Sequence, residues 1–313
     1  MHFAYPPRKD SNPPPFRPRS ARLPSLRRNR LRAIALVVLA LVAGWWLLSG
    51  PSLPGPAREH VPSGQPPVVI VTVLDAPSYS SAYLQTIKDN RNLYAQKHGY
   101  ESMVVKALDY DTQGAPQSWA KLMAVRHALS KFPDCKFVWY LDQNAYIMDP
   151  RRSLEEQVLS PGKLESLMIK DYPVVPPDSI IKTFAHLRGN AIDLVVAQDK
   201  TSLISDSFVV RNGEWAKFFL ETWLDPLYRS YNFGKAETHA LEHIVQWHPT
   251  ILSKLALVPQ KTIAAYTSTD KGEVYQDGDF VVMFAGCSKT GLTSCETESA
   301  HFRQKWQKLF GVN

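Results

Sequence analysis

Asp142-Gln143-Asn144 stands directly after Phe137-Val-Trp-Tyr-Leu141, a five-residue apolar run, and just before a second run, Tyr146-Ile-Met148. A carboxylate and an amide oxygen two positions apart, on a turn at a strand mouth, can point at one hard cation and through it at a diphosphate. The same residues can instead bond only their own backbone, as Asp and Asn often do in turns. His239-Ala-Leu-Glu242-His243 has the spacing of an inverted zinc-protease pattern, with histidines one helical turn apart. A zinc site would need another carboxylate downstream, where Glu273, Glu296 and Glu298 are generic acids, so these read as helix-surface or core histidines. Cys287 and Cys295 are eight apart, and a disulfide closing that short loop is expected where oxidation is permitted. Cys135 is left as an inert, semi-buried thiol. No P-loop, G-x-G-x-x-G or G-x-S-x-G occurs, so kinase, dehydrogenase and α/β-hydrolase readings lose their usual residues.

The elements that must position these groups are partly legible. Val68-Val-Ile-Val-Thr-Val-Leu74 is a continuous β-branched run of the kind covered on both faces. Leu84, Ile87 and Tyr94 follow near helical spacing, Gly99 ends that helix, and Glu101–Lys106 reads as the next strand. A second helix around Trp119–Leu129 leads into the 137–141 strand. Alternating strand and helix predicts a mainly parallel sheet, whose ligands bind beyond the C-terminal strand ends, where Asp142 lies.

The chain has 313 residues and a formal net charge of +7, which would suggest a nucleic-acid binder if the charge were spread. It is not. Residues 1–32 hold nine basic groups and one acid, so the other 281 residues sum to −1 and no nucleic-acid partner is expected. After that Pro-rich tail, Ala33–Leu48 is apolar, rising about 24 Å as a helix, with Trp45 and Trp46 at one end. Basic residues on its N-terminal side predict a single-span anchor with that side cytoplasmic. Six prolines between Pro51 and Pro67 read as a stem. The expected organisation is a cytoplasmic tail (1–32), a transmembrane signal anchor (33–50), a luminal stem (51–67) and one α/β domain (68–313). No Asn-x-Ser/Thr sequon supports luminal exposure.

Asn90-Arg-Asn-Leu-Tyr-Ala-Gln-Lys-His-Gly-Tyr100, Ser118-Trp-Ala-Lys121 and Trp139–Met148 then fall in order with further blocks. These are Pro176-Pro-Asp-Ser-Ile-Ile-Lys-Thr-Phe184, Phe208-Val-Val-Arg-Asn212, Glu214-Trp215 and Phe284-Ala-Gly-Cys287. Together they resemble the signature blocks of glycosyltransferase family 34 and span essentially the whole domain. Within it, the Pro176-Pro-Asp-Ser179 block and the short stem look most like fungal Golgi α-1,6-mannosyltransferase subunits that extend N-glycan outer chains. The resemblance implies a GT-A-like nucleotide-sugar-binding domain and a type II Golgi membrane protein with its catalytic domain in the lumen. It also implies a Mn²⁺-type cofactor and retaining transfer of mannose from GDP-mannose to a mannan or N-glycan acceptor, beside other mannosyltransferase subunits.

Carried over residue by residue, Asp142 and Asn144 occupy a DxD-like motif for the donor and its metal, with Asp142 also catalytic. Lys121 resembles a donor-side lysine. Glu237 falls where the family has an acid suited to the acceptor hydroxyl or an oxocarbenium-like centre. Three positions depart from the pattern: the second acid is Asn144, the expected metal-ligand histidine is Met283, and the glycine before Ser-Phe is Asp206. An uncharged amide and a soft thioether leave two alternatives. Either Asp142 and the diphosphate hold the metal, or the chain is a non-catalytic subunit. A UDP-sugar-dependent galactosyl- or xylosyltransferase of the same fold is a third reading.

Overall fold

The computed structural model describes residues 23–49 and 60–312, apart from Asn232, Lys271 and Leu292. Residues 1–22 of the basic tail and 50–59 of the stem lie outside the described residues. The chain divides into two units, Met1–Glu59 and His60–Asn313. In the first, helix α1 (Leu23–Ser49) runs about 40 Å at 1.5 Å per residue and contains an apolar window, Asn29–Trp46, with no buried residue. It starts ten residues ahead of Ala33. Pro24 is tolerated in a first turn, and the Leu and Arg residues that follow are good helix formers.

The second unit opens with β1 (Val68–Leu74), α2 (Ser81–His98), β2 (Glu101–Lys106), α3 (Ala120–Lys131) and β3 (Phe137–Leu141). Every residue of β1 and β3 is buried, as their unbroken apolar runs predict. The Ser80 hydroxyl caps α2 by accepting from the Tyr83 amide at 3.2 Å, and Gly99 closes it at φ 67°, a left-handed conformation that suits glycine. Next come β4 (Ala145–Ile147), α4 (Pro161–Leu167), β5 (Leu194–Gln198), β6 (Leu203–Arg211), α5 (Glu214–Trp223) and α6 (Pro226–Ser230). The chain ends with α7 (Ala236–Trp247), α8 (Pro249–Leu252), β7 (Leu255–Val258), β8 (Ala265–Tyr266), β9 (Val281–Met283) and α9 (Cys295–Phe310).

Six strands form one sheet in the order β2-β1-β3-β6-β5-β7. All neighbours are parallel except those of β6, which runs antiparallel to both β3 and β5. The sheet is therefore mainly parallel, with one reversed strand at its centre. One face packs on α3, α5 and α7 through residues such as Val125, Phe219 and Ile244; the other holds Tyr94, Trp139 and Phe280. A small sheet, β4-β9-β8, continues the acidic turn into the second half of the domain.

Two local features position the site. Between the pairs Val196↔Phe208 and Gln198↔Leu203, β5 advances two residues while β6 advances five, so β6 carries a bulge of three extra residues. Residues 60–67, the end of the expected stem, are tied down instead of free. The Gly64 amide donates to the Asp134 carbonyl at 2.8 Å, and Lys136 and Phe137 donate to the carbonyls of Pro66 and Pro67.

Candidate functional site

A cavity of about 430 Å³ opens where β1 and β3 end and β6 bulges. Its walls include Asp75 after β1, Asp142 and Gln143 after β3, Asp206 from β6, Gln117, Ser118 and Lys121 beside α3, Glu237 and Thr238 from α7, and Lys289. This is the strand-end crevice where ligands of α/β sheets bind.

Asp142 is held by its neighbours. Its Oδ1 accepts from the Asn144 amide at 2.8 Å and its Oδ2 from the Tyr140 hydroxyl at 3.2 Å, while its own amide donates to the Asp206 carbonyl at 2.8 Å. Burial and the adjacent Asp206 charge push its pKa up to about 6, against the lowering effect of Lys121. Asn144 points elsewhere: its Oδ1 accepts from the Tyr83 hydroxyl at 3.2 Å, and Gln143, not Asn144, lines the cavity. The turn thus presents one carboxylate, and the second residue of the Asp-x-Asn pair serves to fix it.

Lys121 is buried and spans two carboxylates, Asp206 Oδ1 at 2.6 Å and Glu237 Oε1 at 2.8 Å, with Ser205 Oγ at 3.3 Å. Burial disfavours its ammonium, but Asp206 and Glu237 outweigh that and raise its pKa well above the ordinary lysine value. Its three protons are all engaged, so Lys121 organises two acids in place of standing free for a phosphate. Glu237 is as buried as Lys121, and the Ser118 hydroxyl donates to its other oxygen. Asp206 differs: its side chain keeps 52% exposure, and it is the exposed residue of a strand whose other residues are buried up to Val210. The β6 bulge delivers it to the cavity.

The less engaged cation is Lys289, in the loop closed by the Cys287–Cys295 disulfide, whose Cα atoms are 4.9 Å apart. Its Nζ reaches Asp75 Oδ2 at 2.7 Å and Ser78 Oγ at 2.8 Å and is 64% exposed. Partial burial raises the Asp75 pKa, but bonds from Lys289 and Ser78 more than offset it and hold the carboxyl below its usual range. Asp75 carries the same signal as Asp142, an acid closing a buried strand, and that rule applied to Val68–Leu74 would have found it.

The expected metal set is not assembled. Met283 is buried in the core opposite Ala145, and among the described residues no three His, Cys, Asp or Glu groups cluster as ligands. What fits a hard cation is the pair of adjacent acids, Asp142 and Asp206, whose mutual repulsion a positive ion would relieve. The zinc-protease pattern also dissolves. Glu242 turns inward to accept from the Leu203 amide at 3.1 Å, and His243 Nδ1 pairs with the Tyr228 hydroxyl at 3.2 Å. Cys135 is fully buried, and burial pushes its thiol up to about 11.

This acid-rich strand-end site lies inside residues 64–294, which match the family described as galactosyl transferase GMA12/MNN10. The chain belongs to glycosyltransferase family 34. An uncharacterized alpha-1,2-galactosyltransferase of Schizosaccharomyces pombe is 33% identical over 218 residues, 69% of this chain and 66% of that protein. The probable alpha-1,6-mannosyltransferase MNN11 of Saccharomyces cerevisiae is 31% identical over 267 residues, 78% of this chain and 63% of that protein. The family 34 chain thus spans about two thirds of the length of these relatives. A solved glycosyltransferase involved in glycosylation of the major capsid of PBCV-1 superposes with a TM-score of 0.50 at 11% identity, covering 76% of this chain and 98% of that one. That likeness identifies the fold: a GT-A-like mixed α/β domain.

Proposed function

We propose that this family 34 chain is a retaining Golgi α-mannosyltransferase that moves mannose from GDP-mannose to a hydroxyl of mannan or an N-glycan outer chain. The observation that supports it most directly is the strand-end cavity, where Asp142, Asp206 and Glu237 face a site bordered by Lys289. The domain carries little net charge, so a nucleotide diphosphate must be met by placed groups. Lys289 is the exposed ammonium at the cavity wall, on a loop that the disulfide restrains. Asp142, with Asp206 beside it, would hold a divalent cation such as Mn²⁺, which neutralises charge on a leaving diphosphate when bound. Glu237, fixed by Lys121 and Ser118, is the acid suited to bind the acceptor hydroxyl or to stabilise positive charge at the anomeric carbon. The α1 helix would anchor the chain as a single-pass type II membrane protein, with its catalytic domain in the lumen beside other mannosyltransferase subunits.

A UDP-galactose donor is the second reading, favoured by the 33% identity to a relative named as an alpha-1,2-galactosyltransferase. Thermal shifts of the full-length chain in detergent, with GDP or UDP and with or without Mn²⁺, separate the two. The proposal predicts stabilisation by GDP with Mn²⁺, loss of that shift in Asp142→Ala, and GDP-mannose turnover by the chain alone or with its partner subunits. Turnover of UDP-galactose instead selects the second reading. No nucleotide shift, no turnover and full complementation of a deletion by Asp142→Ala would assign the chain as a non-catalytic subunit.

A further inference from the structure

Arg91 lies in the middle of α2 and has no solvent exposure. A guanidinium keeps its charge at any physiological pH, so burying it requires a carboxylate partner or a set of oriented oxygens. Here the partners are four neutral oxygens. Nε donates to Thr72 Oγ1 at 3.2 Å, Nη1 to Asn90 Oδ1 at 2.5 Å, and Nη2 to the backbone carbonyls of Asp142 at 2.8 Å and Ala145 at 2.9 Å.

Those two carbonyls bracket the acidic turn. The other two partners are bonded to its flanks: Thr72 Oγ1 donates to the Leu141 carbonyl at 2.7 Å, and Asn90 exchanges two hydrogen bonds with the backbone of Ile147, each 2.9 Å. Every group that Arg91 touches therefore belongs to, or is fastened to, residues 141–147. The Asp142 side chain leaves the other side of this turn for the cavity, where its carboxylate meets the Asp206 charge. A lysine could not substitute for this fork, because its three protons radiate from one nitrogen and cannot span oxygens on both sides of a turn.

We propose that Arg91 is a positioning residue of the donor site, gripping the Asp142–Ala145 turn from beneath and setting a fixed positive charge behind the acids that face the cavity. The proposal rests on the reading of Asp142 as a donor-side residue.

The test uses the full-length chain in detergent micelles as wild type, Arg91→Lys, Asn90→Ala and Asp142→Ala. The readouts are melting temperature, amide exchange at Asn144 and along β1, affinity for GDP and UDP with Mn²⁺, and kcat and KM of donor turnover. Arg91→Lys should fold, exchange the Asn144 amide at least tenfold faster while the β1 amides keep wild-type protection, and lose tenfold or more in nucleotide affinity at unchanged acceptor KM. Asn90→Ala, which keeps the guanidinium but removes one of its acceptors, should move the same readouts less.

Wild-type affinity and turnover in a folded Arg91→Lys overturns the proposal. So does loss of the fold in both variants, or faster exchange spread evenly over β1, since each makes Arg91 a residue of the core alone. The Asp142→Ala arm separates the two claims. If it loses nucleotide binding while Arg91→Lys does not, only the role of Arg91 falls. If Asp142→Ala binds nucleotide as wild type does, the donor-site reading fails and takes this proposal with it.

Discussion

Lys121, Asp206 and Glu237 show how much a single buried charge can determine. The ammonium and the Glu237 carboxylate are both almost fully out of water, and each satisfies the other. Removing one partner leaves the other charge without compensation, an effect of about 3–5 kcal/mol for buried pairs. Lys121→Met should therefore lower the unfolding free energy from urea melts by that amount and abolish transfer, while Lys217→Met, in an exposed pair on α5, should change that free energy by less than about 0.5 kcal/mol and leave transfer unchanged. Asp149 offers a pH test. Burial raises its pKa, but bonds from Arg151 and Arg152, at 3.0 and 2.9 Å, outweigh that and draw it down to about 2. Because the folded value lies below the ordinary 3.8, its contribution is complete above about pH 5 and is lost as pH falls toward 2. Asp149→Asn should thus be less stable than wild type by on the order of 1–2 kcal/mol at pH 7, with the difference closing in urea melts between pH 4 and 2.5.

Elements built on apolar runs and caps are legible in the sequence: β1, β3, α2 with its Gly99 cap, and the acidic turn after β3. The reversed strand is not. Nothing local marks Leu203–Arg211 as antiparallel, and its bulge comes from pairing with β5 and not from a Gly or Pro signal. The partners of Lys121 were hidden for the same reason, since Asp206 and Glu237 lie 85 and 116 residues away and converge only when α3 and α7 pack on one face of the sheet. Lys289 meets Asp75 across 214 residues, through a disulfide loop whose destination no spacing rule gives. Close packing between elements makes its own prediction. A Cβ at Gly189 would lie 2.1 Å from the Pro161 carbonyl oxygen, backbone against backbone, so neither side can yield cheaply. Gly189→Ala should cost about 1–3 kcal/mol in thermal or urea unfolding, whereas Gly162→Ala, in helix α4 with open space around it, should be neutral or stabilise by up to about 1 kcal/mol.

At the scale of the whole chain, composition was the least informative signal until it was divided by position. The +7 belongs to a 32-residue flank with one charge to spare, and the remainder is close to neutral. If that flank orients α1 as proposed, the domain in sealed microsomes should resist added protease while an N-terminal tag is removed, with detergent exposing both. Full cleavage of the domain without detergent would reverse the orientation. The tie-down of residues 60–67 carries a further implication. These residues meet the sheet at the start of β1 and β3, whereas the cavity lies at their far ends, roughly 20 Å along β1. If the cavity is the donor site as proposed, residues 60–67 and the chemistry lie at opposite ends of β1. A partner that gripped the domain at its His60 end would then leave the mouth of the cavity open, and an acceptor lengthened there would grow away from the point of grip.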